Sequence, residues 1–126
     1  SDLRLLEGSL FKHAMDKDAR WLLDLEPDRL LHRFRLNAGL QPKGEIYGGW
    51  ETLGVSGHTL GHYLSACSMM YAASGDVRFK ERVDYIVREL AECQYARKTG
   101  YVGGIPDEDK IWPRFLPVIS VLKDLI

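Results

Sequence analysis

The chain has 126 residues, 45% of them hydrophobic and 28% charged, with 17 basic against 18 acidic side chains and a net charge of −1. That is the make-up of one small domain with a real core, not of a disordered segment. It gives no basic face for nucleic acid, and no apolar run reaches the ~18 residues that a membrane-spanning helix needs.

Residues 8–25 have helical spacing, with Leu10, Phe11, Ala14, Leu22 and Leu25 on a shared stripe and Lys12, Asp16, Lys17 and Arg20 mostly outside it. Pro27 breaks the pattern and opens a second short helix over 28–37, with Leu30, Leu31 and Phe34 as its buried face and Gly39 as its cap. Residues 40–56 form a glycine-rich loop whose Tyr47 and Trp50 argue against disorder. The next helix covers 57–73, with Leu60, Leu64, Cys67 and Tyr71 in one row, and Gly75 stops it. Asp76 is a good N-cap for a helix over 77–96 that buries Phe79, Val83, Ile86, Leu90 and Cys93. Lys80, Arg82, Asp84, Arg88, Glu89 and Glu92 are expected mostly in solvent. A second glycine-aromatic loop spans 100–106, and a last helical pattern at Trp112, Phe115, Ile119 and Leu122 runs towards Ile126. No strand pattern stands out, so the chain reads as a single all-α domain, 1–126. The two cysteines, Cys67 and Cys93, fall among apolar neighbours and read as buried free thiols. Loops that follow alternate helices of an antiparallel stack lie at one end, so the loops at 44–56 and 100–106 should face one common end.

The chemistry concentrates between Gly48 and Ala66. Gly57 and Gly61 are four apart, as are His58 and His62, and on a helix each pair shares a face. Glycine weakens a helix by roughly 1 kcal/mol against alanine, so two of them suggest a close approach to the backbone. The histidines could chelate a metal, but His-Thr-Leu-Gly-His lacks the glutamate of a metalloprotease helix and no third ligand is evident; no metal ligand is assigned. A sugar site fits better: Trp50 offers a flat face for a furanose or pyranose ring, and His58, His62 and Glu51 offer hydrogen bonds to hydroxyls. The competing reading makes Trp50 a core residue and His62 a buried, satisfied histidine.

Leu25-Glu26-Pro27-Asp28-Arg29-Leu30-Leu31, Phe34-Arg35, Ala38-Gly39-Leu40, Tyr47-Gly48-Gly49-Trp50-Glu51 and Gly57-His58-Thr59-Leu60-Gly61-His62-Tyr63-Leu64-Ser65-Ala66 together resemble the opening of the β-L-arabinofuranosidase family of glycoside hydrolases. Met70-Tyr71-Ala72-Ala73-Ser74-Gly75-Asp76, Arg82-Val83-Asp84-Tyr85-Ile86-Val87, Glu89-Leu90-Ala91-Glu92-Cys93-Gln94 and Gly100-Tyr101-Val102 continue the resemblance in order, over about 8–106. It implies part of an (α/α)6 toroid, here about five helices in antiparallel hairpins out of about twelve. It also implies an L-arabinofuranoside-type carbohydrate as substrate, and retaining hydrolysis by a zinc-held cysteine thiolate.

By motif, His62 matches a sugar-contacting histidine, and Trp50, Glu51 and His58 belong to the same region. The family's catalytic cysteines and acid/base glutamate lie downstream; Cys67 and Cys93 do not match them, and residues 107–126 carry no motif of the family. The resemblance therefore implies an N-terminal segment with no catalytic residue and no cofactor of its own, zinc belonging to the full-length family. By analogy with the family its compartment is bacterial periplasmic or secreted. Two other outcomes are a non-catalytic helical oligomer, or a carbohydrate-binding remnant. A homo-oligomer would form if Trp112, Phe115, Leu116, Ile119 and Leu122 present an uncovered apolar face.

Overall fold

The computed structural model describes residues 4–52 and 56–106, and every regular element among them is helical. Helix α1 is Leu10–Asp24, α2 is Pro27–Leu30, α3 is His32–Asn37, α4 is His58–Ser74 and α5 is Val77–Arg97, with one 3-10 turn at Gly49–Thr52. The all-α reading holds, and the architecture is consistent with part of a helical toroid. The helical pattern at Trp112 and beyond lies outside the described residues, and so does the apolar face expected there.

Local chemistry sets the boundaries. The Ser9 side chain accepts from the Lys12 N–H at 3.2 Å, so α1 begins at Leu10. Glu26 precedes a proline and is held extended, at φ −94 and ψ 112; Pro27 then opens α2 at its first position. The segment expected as one helix over 28–37 is two, because Leu31 (φ −80, ψ −9) interrupts it while remaining fully buried. Gly75, at φ 73, closes α4 with its N–H on the Tyr71 carbonyl at 2.8 Å. Asp76 accepts from Arg78 N–H at 3.1 Å and starts α5. With only Gly75 and Asp76 between them, α4 and α5 form an antiparallel hairpin packed along its length.

The core gathers Leu22, Leu30, Leu31, Phe34, Leu60, Tyr63, Cys67, Phe79, Ile86 and Cys93. The row expected on α5 is the row that packs, and both cysteines are buried free thiols. The stripe expected on α1 is not: Leu10 and Phe11 are 78% and 72% exposed. Leu10 and Leu22 are twelve residues apart, which is about 120° around a helix of 3.6 residues per turn, and Phe11 lies about 16 Å from Leu22 along the axis. Only the second half of α1 (Ala19, Leu22, Leu23) meets the core. Tyr71 is 37% exposed, one turn beyond the core end of the α4 row.

Two α5 side chains expected in solvent are structural. Arg82 donates to the carbonyls of Leu25 and of Leu23 (3.1 Å), satisfying the open end of α1. It also donates to Tyr63 Oη at 3.0 Å, while Tyr63 donates to the Leu22 carbonyl at 2.7 Å. Glu89 is 7% exposed; its Oε2 accepts from Arg35 Nη1 at 2.6 Å and its Oε1 from Lys43 Nζ at 2.6 Å. Arg35 Nη1 also reaches Glu92 Oε2 at 2.8 Å.

Burial pushes the Tyr63 phenol from 10.0 up to about 12. The neutral form is favoured in the fold, so this group's contribution is fully present below pH 10.0 and is lost as pH rises towards about 12. Denaturant unfolding should show a fall in stability across that window that Tyr63→Phe abolishes. At neutral pH the same substitution should cost about 1–3 kcal/mol, because it strands the Leu22 carbonyl; an unchanged alkaline limb would contradict this assignment.

Candidate functional site

The loop before α4 is fixed from behind by α2 and α3. Arg29 Nε donates to the Glu45 carbonyl at 3.0 Å, His32 Nδ1 to the Gly44 carbonyl at 2.8 Å, and Arg35 Nε to the Gln41 carbonyl at 2.9 Å. Tyr47 Oη accepts from Glu26 N–H at 3.0 Å while the Arg29 guanidinium lies 4.0 Å over its ring. These side chains replace the backbone pairing that a loop of this length lacks. The second loop is tied in the same way: Asn37 Nδ2 donates to the Gly103 carbonyl at 3.0 Å, Gln94 Nε2 to the Gly100 carbonyl at 2.8 Å, and Arg97 to the Asn37 carbonyl.

The two glycine loops share one end, as the alternation of helices and loops implied, and there they meet. A Cβ on Gly104 would sit 2.5 Å from the Ser56 carbonyl oxygen, and one on Gly57 would sit 3.2 Å from Gly104 Cα. Beside this contact lies a cavity of about 440 Å³ lined by Phe34, Leu60, Gly61, Leu64, Leu90 and Tyr101 among others. Gly61 has nothing within 4 Å of its missing Cβ. It keeps space open, whereas Gly57 permits close backbone approach.

Trp50 is 73% exposed on the 3-10 turn, so it is not a core residue. His58 and His62 are exposed too, which removes the buried-histidine reading. Their rings meet edge to face with centroids 4.6 Å apart, and their Nε2 atoms are 3.1 Å apart. One Nε2 donates and the other accepts. In the neutral pair, one Nδ1 is then left as an acceptor and the other as a donor, and among the described residues neither has a partner. A sugar hydroxyl donates and accepts at once, and this pair can answer both.

Glu51 differs from its neighbours. It is 5% exposed, its Oε2 accepts from Gly57 N–H at 2.9 Å, and its own carbonyl accepts from Ser56 Oγ. Its Oε1 is buried without a partner among the described residues. Ser56, Asn37, Arg97 and Gly104 hold the two loops together, and composition did not single them out; the Gly103-Gly104 pair was the one signal available for them. Among the described residues no group of three His, Cys, Asp or Glu side chains is disposed to hold a metal ion.

The family model described as beta-L-arabinofuranosidase, GH127 catalytic domain, matches residues 2–119. The match extends past Pro106, where the motifs quoted above end, and takes in residues 107–119. Among curated proteins, none matches this chain.

Proposed function

The chain belongs to the beta-L-arabinofuranosidase GH127 catalytic-domain family of glycoside hydrolases, and on that premise we propose that it supplies part of the sugar subsite of an L-arabinofuranoside hydrolase. His62 and His58 are the hydroxyl-binding pair, and Trp50 is the stacking face. The observation that carries this reading is the exposed imidazole pair, joined Nε2 to Nε2 at 3.1 Å, at the glycine-rich end of α4. A polar pair held open beside a glycine-lined cavity suits a small polyol.

The bond-breaking chemistry is assigned to other parts of the family's domain. Zinc as used by the family needs thiolate ligands, and the described residues do not fit it. Burial pushes the Cys67 and Cys93 thiols up, away from the thiolate form, and both are enclosed in the core. What these residues do is bind and orient a furanoside.

Binding of methyl β-L-arabinofuranoside to the chain, followed by NMR chemical shifts, tests the reading. Trp50→Ala and His62→Ala should each weaken binding by about 1–3 kcal/mol, the cost of a lost face or an unsatisfied polar partner. The chain by itself should not hydrolyse an aryl arabinofuranoside, with or without added zinc. Unchanged affinity in both variants would remove the sugar site. Turnover that disappears in Cys67→Ala or Cys93→Ala would move the catalytic centre into this chain.

A further inference from the structure

We propose that Glu51 is a positioning residue of the sugar site, holding the Trp50 turn against the first turn of α4 rather than touching the sugar itself. This rests on the reading of Trp50, His58 and His62 as that site. The helix α4 lacks an N-cap of its own. Its cap position is Gly57, at φ 89, with no side chain to accept a hydrogen bond and no room for one, since a Cβ there would lie 2.7 Å from the Phe34 ring. Glu51 supplies the missing acceptor from six residues upstream, its Oε2 on the Gly57 N–H at 2.9 Å. A carboxylate there also complements the positive end of the helix dipole.

The adjoining residues make the bond consequential. Trp50 precedes Glu51 in the same four-residue turn, and His58 follows Gly57 as the first residue of α4. Among the described residues, the hydrogen bonds joining that turn to the start of α4 are two, and both use Glu51: the carboxylate to Gly57 and the backbone carbonyl to Ser56. Stability alone does not explain the residue, because among the described residues Oε1 is buried without a partner, and an unpaired buried oxygen is costly. Nor does ligand contact, because Glu51 is 5% exposed. The carboxylate fixes where the indole face stands relative to the imidazole pair.

The test compares Glu51→Gln, which keeps an acceptor for the Gly57 N–H, with Glu51→Ala, which does not. Two readouts are taken: methyl β-L-arabinofuranoside affinity, and the ring signals of His58 and His62 in the sugar-free chain. Alanine should weaken binding about ten-fold, the size of one lost charge-assisted hydrogen bond, and shift both ring signals with helical content retained. Glutamine should stay within about two-fold of the parent and leave the rings in place.

Alanine without effect on either readout overturns the proposal. So does glutamine falling as far as alanine, which would put the carboxylate on the sugar. If Glu51→Ala does not fold, Glu51→Asp, whose shorter side chain draws the acceptor back from the Gly57 N–H, takes its place, and an unchanged affinity with unmoved ring signals there overturns it equally. If Trp50→Ala and His62→Ala weaken binding while Glu51→Ala does not, the sugar site stands and the positioning role falls. If the parent chain binds no sugar, the sugar site falls, and the ring signals still decide whether Glu51 holds the first turn of α4.

Discussion

Glu89→Ala should lower stability by about 3–5 kcal/mol, the cost of breaking a buried ion pair from one side. Glu89 offers both oxygens, one to Arg35 and one to Lys43, at 2.6 Å each. Its side chain is 9% exposed and that of Arg35 is 7%. Without Glu89, the Arg35 guanidinium stays buried with only Glu92 to face it, and the Glu92 side chain is 51% exposed. The remaining partner places the loss towards the lower end of the range. Glu89→Gln, which keeps acceptor capacity, should lose less.

The loss also propagates locally, because Arg35 Nε holds the Gln41 carbonyl at the start of the long loop. Urea unfolding of the three proteins measures it, and a loss under about 1 kcal/mol would mean that the pair is solvated in solution. The same network sets acid sensitivity. The hydrogen bond from Arg35 holds the Glu92 carboxyl below its ordinary 4.5. Glu92 therefore contributes stability that is present above pH 4.5 and is lost as pH falls through its lower folded value. In Glu89→Ala that bond is the guanidinium's last carboxylate contact, so acid unfolding should begin at a higher pH than in the parent.

What the sequence made legible, and what it did not, follows the range of the interactions. Helix existence is a local matter. Apolar periodicity and punctuating residues such as Asp76 and Gly75 placed four helical segments to within about two residues, the scatter of boundary assignment itself. The row from Phe79 to Cys93 on α5 was readable because it repeats over many turns.

Leu31 broke the segment after Pro27, and no single residue type announces such a break. Arg82 and Glu89 were misplaced in solvent because a charged residue on a helix is normally exposed. Their partners (the end of α1, Arg35 and Lys43) lie 46 to 59 residues away along the chain, beyond any local pattern. Leu10 and Phe11 failed for two other reasons: Leu10 lies about 120° around the helix from Leu22, and Phe11, though on the same face, lies about 16 Å along the axis from it, away from the core. At the site, residue types pointed to Trp50, His58 and His62, and the structure leaves all three exposed. The same reasoning grouped Glu51 with them, whereas its burial sets it apart.

The glycines show the same division, and they carry the second large effect. By spacing, Gly57 and Gly61 look equivalent, one turn apart on α4; in the fold they are opposites. Gly57→Ala must accept an unfavourable positive φ of 89, and its new methyl would stand 2.7 and 2.8 Å from two atoms of the Phe34 ring. Phe34 is itself buried and cannot swing away. The left-handed conformation costs about 1–2 kcal/mol and overpacking about 1–3 kcal/mol more, so a loss of roughly 2–5 kcal/mol is expected.

Gly104→Ala should cost about 1–3 kcal/mol by overpacking alone, since its methyl would meet the backbone of Ser56 and Gly57 at 2.5 to 2.9 Å. Gly61 sits inside α4 with nothing within 4 Å. Gly61→Ala should therefore stabilise the chain by about 0.5–1 kcal/mol through helix propensity and a less flexible unfolded state. Chemical denaturation of the three variants separates these cases by sign. A destabilised Gly61→Ala, or a neutral Gly57→Ala, would mean that α4 does not begin against Phe34 as described. If Gly61→Ala is more stable yet binds methyl β-L-arabinofuranoside more weakly, the helix gives up stability at Gly61 to keep the cavity beside His62 open.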